Sequence, residues 1–176
     1  MRYGYRSLIA LKSRLYEAPT RQAAMQDIAT IEALENFLGK KLTAYYDPRE
    51  IVIHHGLQVG AVCDDLAKLV KRGNPEAVSF ACKIIVMDPR LPFGKIIKSN
   101  FARALKRQVS LITDIEKSGI VKKAIDLLNM EFCPRELEDY CKLLKRFDSK
   151  TLNTVVGAVN PINEKSKRLI ANLANG

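Results

Sequence analysis

Apolar residues recur at spacings of three and four along nearly the whole chain, and alternation with period two is hard to find. Met25, Ile28 and Ile31, with Leu34 and Leu38, form one such stripe. Ile120, Ala124, Leu127 and Leu128 form a second, and Leu137, Tyr140, Leu144 and Phe147 a third. Three-and-four spacing places side chains on one face of a helix, whereas a half-buried strand needs every second residue to be apolar. Ile51-Val52-Ile53 is β-branched and could make a short strand, but it follows Asp47-Pro48-Arg49-Glu50. That tetrapeptide has an N-cap residue, proline at the first helical position and an acid where a capping box wants it. An all-α fold is therefore expected.

Punctuation divides the helices. Pro19-Thr20, Asn74-Pro75-Glu76, Cys133-Pro134-Arg135-Glu136 and Asn160-Pro161 read as helix starts, and Gly39, Gly73 and Gly119 as C-terminal stops. The expected helices lie near 3–17, 20–38, 48–55, 57–72, 75–87, 93–107, 109–118, 120–131, 134–147, 150–159 and 161–174.

One pattern recurs along the chain. Val78-x-x-Ala81-x-x-Ile84-Ile85-x-Met87 is matched by Val121-x-x-Ala124-x-x-Leu127-Leu128-x-Met130, at an offset of 43. Pro89-Arg90 follows the first copy and Pro134-Arg135 the second. The next helices then end in Leu105-Lys106-Arg107 and Leu144-Lys145-Arg146. A period in the low forties suits two-helix solenoid units of HEAT or armadillo type, in which one helix pair cannot bury both of its faces alone. Two alternatives remain open, a short stack of helical hairpins and an irregular multi-helix bundle, because any two amphipathic helices share apolar spacing. Residues 1–176 are read as a single helical domain, with a possible N-terminal hairpin over 1–39 packed on a core over 47–176.

Composition enters through what it excludes. A chain of 176 residues with 47% apolar content is long enough to bury a core without disulfide or metal staples. No run approaches the roughly 18 uncharged apolar residues of a membrane span. Lys12 and Arg14 interrupt what would be the apolar stretch of a leader peptide. Cys63, Cys82, Cys133 and Cys141 are scattered, with no C-x-x-C pair, so reduced thiols and a cytoplasmic location are expected over a two-disulfide framework.

The residues that carry chemistry are few. His54 and His55 are the only histidines; Glu50 lies four residues before His54, and Asp64 and Asp65 follow on the next segment. Glu50, His54, Asp64 and Asp65 make a weak metal-enzyme candidate, because H-E-x-x-H or E-x-x-H spacing is missing. The plainer account is a helix end before Gly56, where a histidine meets free carbonyls. Gly39-Lys40-Lys41-Leu42-Thr43 resembles the tail of a phosphate loop, yet Leu34 stands where its first glycine belongs. There is no G-x-G-x-x-G and no G-x-S-x-G. No cofactor is expected, and no catalytic residue is assigned.

Charge is the remaining signal. Lys and Arg total 29 against 19 Asp and Glu, a net of +10. Most of the excess is diffuse, but Pro89 to Thr113 holds no acid while Arg90, Lys95, Lys98, Arg103, Lys106 and Arg107 supply six cations. On a helix from residue 93, Lys95, Arg103, Lys106 and Arg107 fall within about 120°, opposite Ile97, Phe101, Leu105 and Val109. Lys98 and Ile96 fall outside that scheme. Lys142, Lys145, Arg146 and Lys150 form a smaller cluster beside the acids Glu136, Glu138 and Asp139, and Glu138 with Lys142 is a favourable i,i+4 pair.

Such a ridge suits a DNA or RNA backbone, since phosphate neutralisation releases counterions without reading sequence. The same lysines suit an acidic protein partner, and a charge run can also be a plain solvated face. Function is thus expected to be a non-enzymatic, basic nucleic-acid-binding module. A helical-repeat adaptor for a protein or peptide is the first alternative and a metal-dependent enzyme the second. Membrane insertion is not expected.

Overall fold

The computed structural model describes residues 27–47 and 57–175. Among these residues it contains eight α-helices and no strand, apart from an isolated bridge between Asp27 and Arg90. The helices are α1 (Ile31–Leu38), α2 (Leu57–Lys71), α3 (Pro75–Met87), α4 (Gly94–Leu105), α5 (Asp114–Leu128), α6 (Leu137–Leu144), α7 (Ser149–Ala158) and α8 (Glu164–Ala174). A single 3₁₀ turn, Val109–Leu111, leads into α5.

Local chemistry explains most boundaries. Thr30, Asn74, Asp148 and Asn163 each accept a hydrogen bond from the backbone N–H three residues on, satisfying one orphan donor of a first turn. Gly39 and Gly73 end α1 and α2 at φ 78° and 81°, the left-handed conformation that a side chain disfavours.

Several expected boundaries move. The helix expected over 20–38 starts only at Ile31 among the described residues, because Thr30 caps it and the Ile28 N–H donates to the Arg90 carbonyl at 2.8 Å. The helices expected over 109–118 and 120–131 are one helix, α5. Thr113 and Glu116 close a reciprocal capping box that starts it, and Gly119 sits in its interior, where glycine costs only about 1 kcal/mol against alanine. The last helix begins at Glu164 rather than at Pro161, because the Asn160 N–H donates to Asn129 Oδ1 at 2.7 Å instead. The helices expected near 3–17 and 48–55, and most of the suggested hairpin over 1–39, lie outside the described residues.

The helices pack chiefly on helices one or two places away in the chain: α2 on α3 and α4, α3 on α4 and α5, and α4 on α6. Further along, α5 packs on α6 and α7, and α8 on α6 and α7. This is a two-layer stack, with α2, α4, α6 and α8 in one layer and α3, α5 and α7 in the other. Neighbour-only packing is what a solenoid-like array produces, since each unit buries the face its neighbour leaves open. Val78, Ala81, Ile84 and Ile85 of α3 are fully buried, and so are Ala124 and Leu128 of α5 at matched positions. Alanines at 77, 81, 102, 104 and 124 are all buried and let the helix axes approach closely.

The four thiols are free. Burial pushes the Cys63 and Cys141 thiols up to about 12, and raises Cys82 further; Cys133 alone is not buried. Thiolates do the reacting, so a disulfide reagent at neutral pH is expected to titrate Cys133 fast and the other three only as the chain unfolds. Rapid labelling of all four in the native protein would contradict this packing.

Candidate functional site

The loops after α3 and after α5 line one common groove. Helices α4 and α6 therefore both start at that edge of the stack, run side by side away from it, and end at the opposite edge. The twelve residues of α4 span about 18 Å, so the two edges are separate surfaces.

This geometry divides the cations that the sequence grouped together. Arg90 and Lys95 stand at the groove edge. Lys98 is withdrawn from the ridge: it is 7% exposed and its ammonium is ion-paired with Asp88, which also accepts from Lys123 Nζ at 2.6 Å. Its angular position had already set it apart from the ridge, and burial beside the α3 C-cap is the reason. Arg103 remains exposed but spends its guanidinium on Asp139 at 2.8 Å. Lys142 pairs with Glu138 at 2.8 Å, as the i,i+4 spacing anticipates. The acids of α6 thus interrupt the ridge at its middle.

Burial opposes ionisation of Asp139, yet hydrogen bonds from Arg103 and the Ser99 hydroxyl outweigh it and hold the carboxyl below its ordinary value of 3.8. A depressed folded-state value contributes stability that is present above the ordinary value and is lost as pH falls through the folded one. The native chain should lose stability as pH drops below about 4, and Asp139→Asn should flatten that slope while lowering stability at neutral pH. Urea midpoints of both proteins across that range are the check; parallel curves would remove Asp139 from the account.

At the far edge the arrangement is different. Lys106 and Arg107 follow the last residue of α4, and Lys145 and Arg146 the last residue of α6. A third pair joins them that sequence reasoning missed: Lys71 and Arg72 at the end of α2. Gln108 Nε2 donates to the Lys71 carbonyl at 3.0 Å, which pins the α2 end against the α4 end. The left-handed Gly73 turns the chain beside the same glutamine side chain. The signal is present in the sequence, because Lys-Arg stands at the ends of α2, α4 and α6, three of the four helices of one layer.

Among the described residues none of these six cations is ion-paired, and all but the half-buried Lys106 are exposed. Lys150, exposed in the first turn of α7, extends the row. Acids on this edge have their own donors. Glu76 is taken by Lys40 and the Tyr45 hydroxyl, Asp148 by the N–H and hydroxyl of Thr151, and Asp114 lies 3.6 Å from Lys117. Each Lys-Arg pair also sits where helix carbonyls leave partial negative charge, which stabilises it locally. Tertiary packing adds their alignment.

No metal site is assembled from the described residues. Asp64 accepts from Asn100 at 3.2 Å and Asp65 from Lys68 at 2.7 Å, while Glu50 and His54 lie outside the described residues. No helix among the described residues is long and apolar enough to cross a membrane.

Fold and site together define a class: a two-layer all-α stack with a cationic edge. No family model, curated protein or solved structure matches the chain.

Proposed function

We propose that the chain is a binding module for nucleic-acid backbone and that the Lys-Arg edge is its contact surface. The observation that carries this is the alignment of Lys71-Arg72, Lys106-Arg107 and Lys145-Arg146 on one edge, none of them ion-paired among the described residues. Helices packed in one layer lie about 8–10 Å apart, so three pairs span roughly 20 Å. One strand of a duplex carries a phosphate about every 3.4 Å of axis, so that span passes about six phosphates, one for each cation. Guanidinium groups can engage phosphate oxygens in pairs, and the lysines act as point charges beside them. These contacts position a duplex without reading its bases, since phosphate contacts carry no direct sequence information.

The test is fluorescence anisotropy of a labelled random-sequence duplex titrated with the protein at several salt concentrations. Six contacts give a slope of log affinity against log salt near about −5, a loss of about a thousandfold between roughly 50 and 200 mM salt. Duplexes of unrelated sequence should bind alike. Absence of binding at the lowest salt, or affinity independent of salt, would overturn the proposal.

A further inference from the structure

The groove at the opposite edge has a different character. Its volume is about 790 Å³. Phe93, Ile96 and Phe132, which line it, are 62%, 50% and 62% exposed. Scattered exposed apolar residues are ordinary, but these large side chains converge on one concavity floored by Leu127 and Met130. A second cavity of about 620 Å³ shares Leu127, Met130 and Phe132 with it, so the depression is elongated rather than a single-molecule pocket. Phe93 also holds a left-handed backbone at φ 55°, a conformation unfavourable for a bulky residue, and most of the residue stays exposed within the chain.

Two polar features say what would fit. Glu136 lines the groove at 7% exposure, and its Oε2 is buried with no hydrogen-bond partner. A buried acceptor left unmatched is costly, and an N–H or O–H donor that gains access to it as the groove side chains shift would satisfy it. Around it Arg90, Lys95 and Arg135 are exposed and, among the described residues, unpaired, while Lys98 and Asp88 neutralise one another. The free charge of this first cavity is therefore three cations against one carboxylate, while Asp126 and Glu131, with Lys123, line its extension.

We infer that this groove is a docking site for an acidic, amphipathic peptide segment of a protein partner. Large apolar side chains of the peptide enter between Phe93, Ile96 and Phe132, its carboxylates meet Arg90, Lys95 and Arg135, and one of its donors reaches Glu136. A polyanionic strand fits less well, because Glu136 would face its phosphates and the floor is aliphatic. The site is separate from the Lys-Arg edge and does not depend on the function proposed for it.

The probe is a short fluorescein-labelled synthetic peptide with phenylalanine and leucine at helical spacing and aspartate and glutamate between them. A second peptide with lysine in place of the acids, and a labelled single-stranded oligonucleotide, are the comparisons. Saturable binding of the acidic peptide is expected, weakened about tenfold or more by Phe132→Ala and by Arg135→Glu. Both side chains are exposed in the folded chain, and circular dichroism confirms that the variants fold. Replacing Lys145 and Arg146 by glutamine should leave this binding unchanged. The inference fails if the acidic peptide does not bind, if neither variant weakens it, or if the lysine peptide or the oligonucleotide binds the groove as well. It fails also if sedimentation shows a dimer that Phe132→Ala dissociates, which would assign the groove to a second copy of the chain.

Discussion

Replacing Lys106, Arg107, Lys145 and Arg146 together by glutamine is expected to remove duplex binding from the measurable range. At roughly 150 mM salt each phosphate contact is worth a factor of about five in affinity through counterion release, so four contacts amount to about a thousandfold. At salt low enough for residual binding to be read, the slope should fall to about −2, the value left by Lys71 and Arg72. Stability should change little, because these side chains are exposed or half-buried and unpaired, and only the local interaction with helix carbonyls is lost. Anisotropy titration of the native and substituted proteins, with a urea midpoint for each, separates the two effects. Unaltered duplex affinity in a folded variant would mean that the edge is ordinary solvated surface.

Asp88→Asn is expected to be the most damaging single polar substitution. Asp88 ends α3 in the left-handed conformation, φ 51°, and receives both Lys98 and Lys123. Asparagine tolerates that backbone, so the change isolates the charge. Without the carboxylate, Lys98 keeps a positive charge at 7% exposure with no counterion. Breaking a buried pair from one side costs about 3–5 kcal/mol, and the lower end applies because the Asp88 side chain is 28% exposed. Lys98→Met, by contrast, leaves Asp88 with Lys123 and should cost far less. Denaturant unfolding of the two variants measures the difference; equal midpoints would show that the pair contributes no net charge compensation.

Lys98 also illustrates what a helical wheel can and cannot say. Its angle marked it as apart from Lys95, Arg103, Lys106 and Arg107, but only the α3 C-cap beside it explained why. Arg103 lay correctly on the exposed face, and nothing local announced that Asp139 would approach from a helix 36 residues on. Thr113 and Glu116 were the opposite case. Their capping-box spacing is readable in the sequence and places the helix start at Asp114 rather than at 109, whereas the continuation through Gly119 rests on the burial of Ile120, Ala124 and Leu128 beyond it.

The sequence by itself determined that the chain is helical, where most helices start, and which faces are apolar, because burial and capping act over three or four residues. It also determined that Lys-Arg pairs close α2, α4 and α6. Only the tertiary structure decided that these three ends share an edge, that Arg90 and Lys95 belong to the other one, and that Glu136 is buried beside Phe93 and Phe132. Those juxtapositions depend on how successive helices reverse and stack, and that depends on side chains meeting across 35 residues or more rather than along one turn.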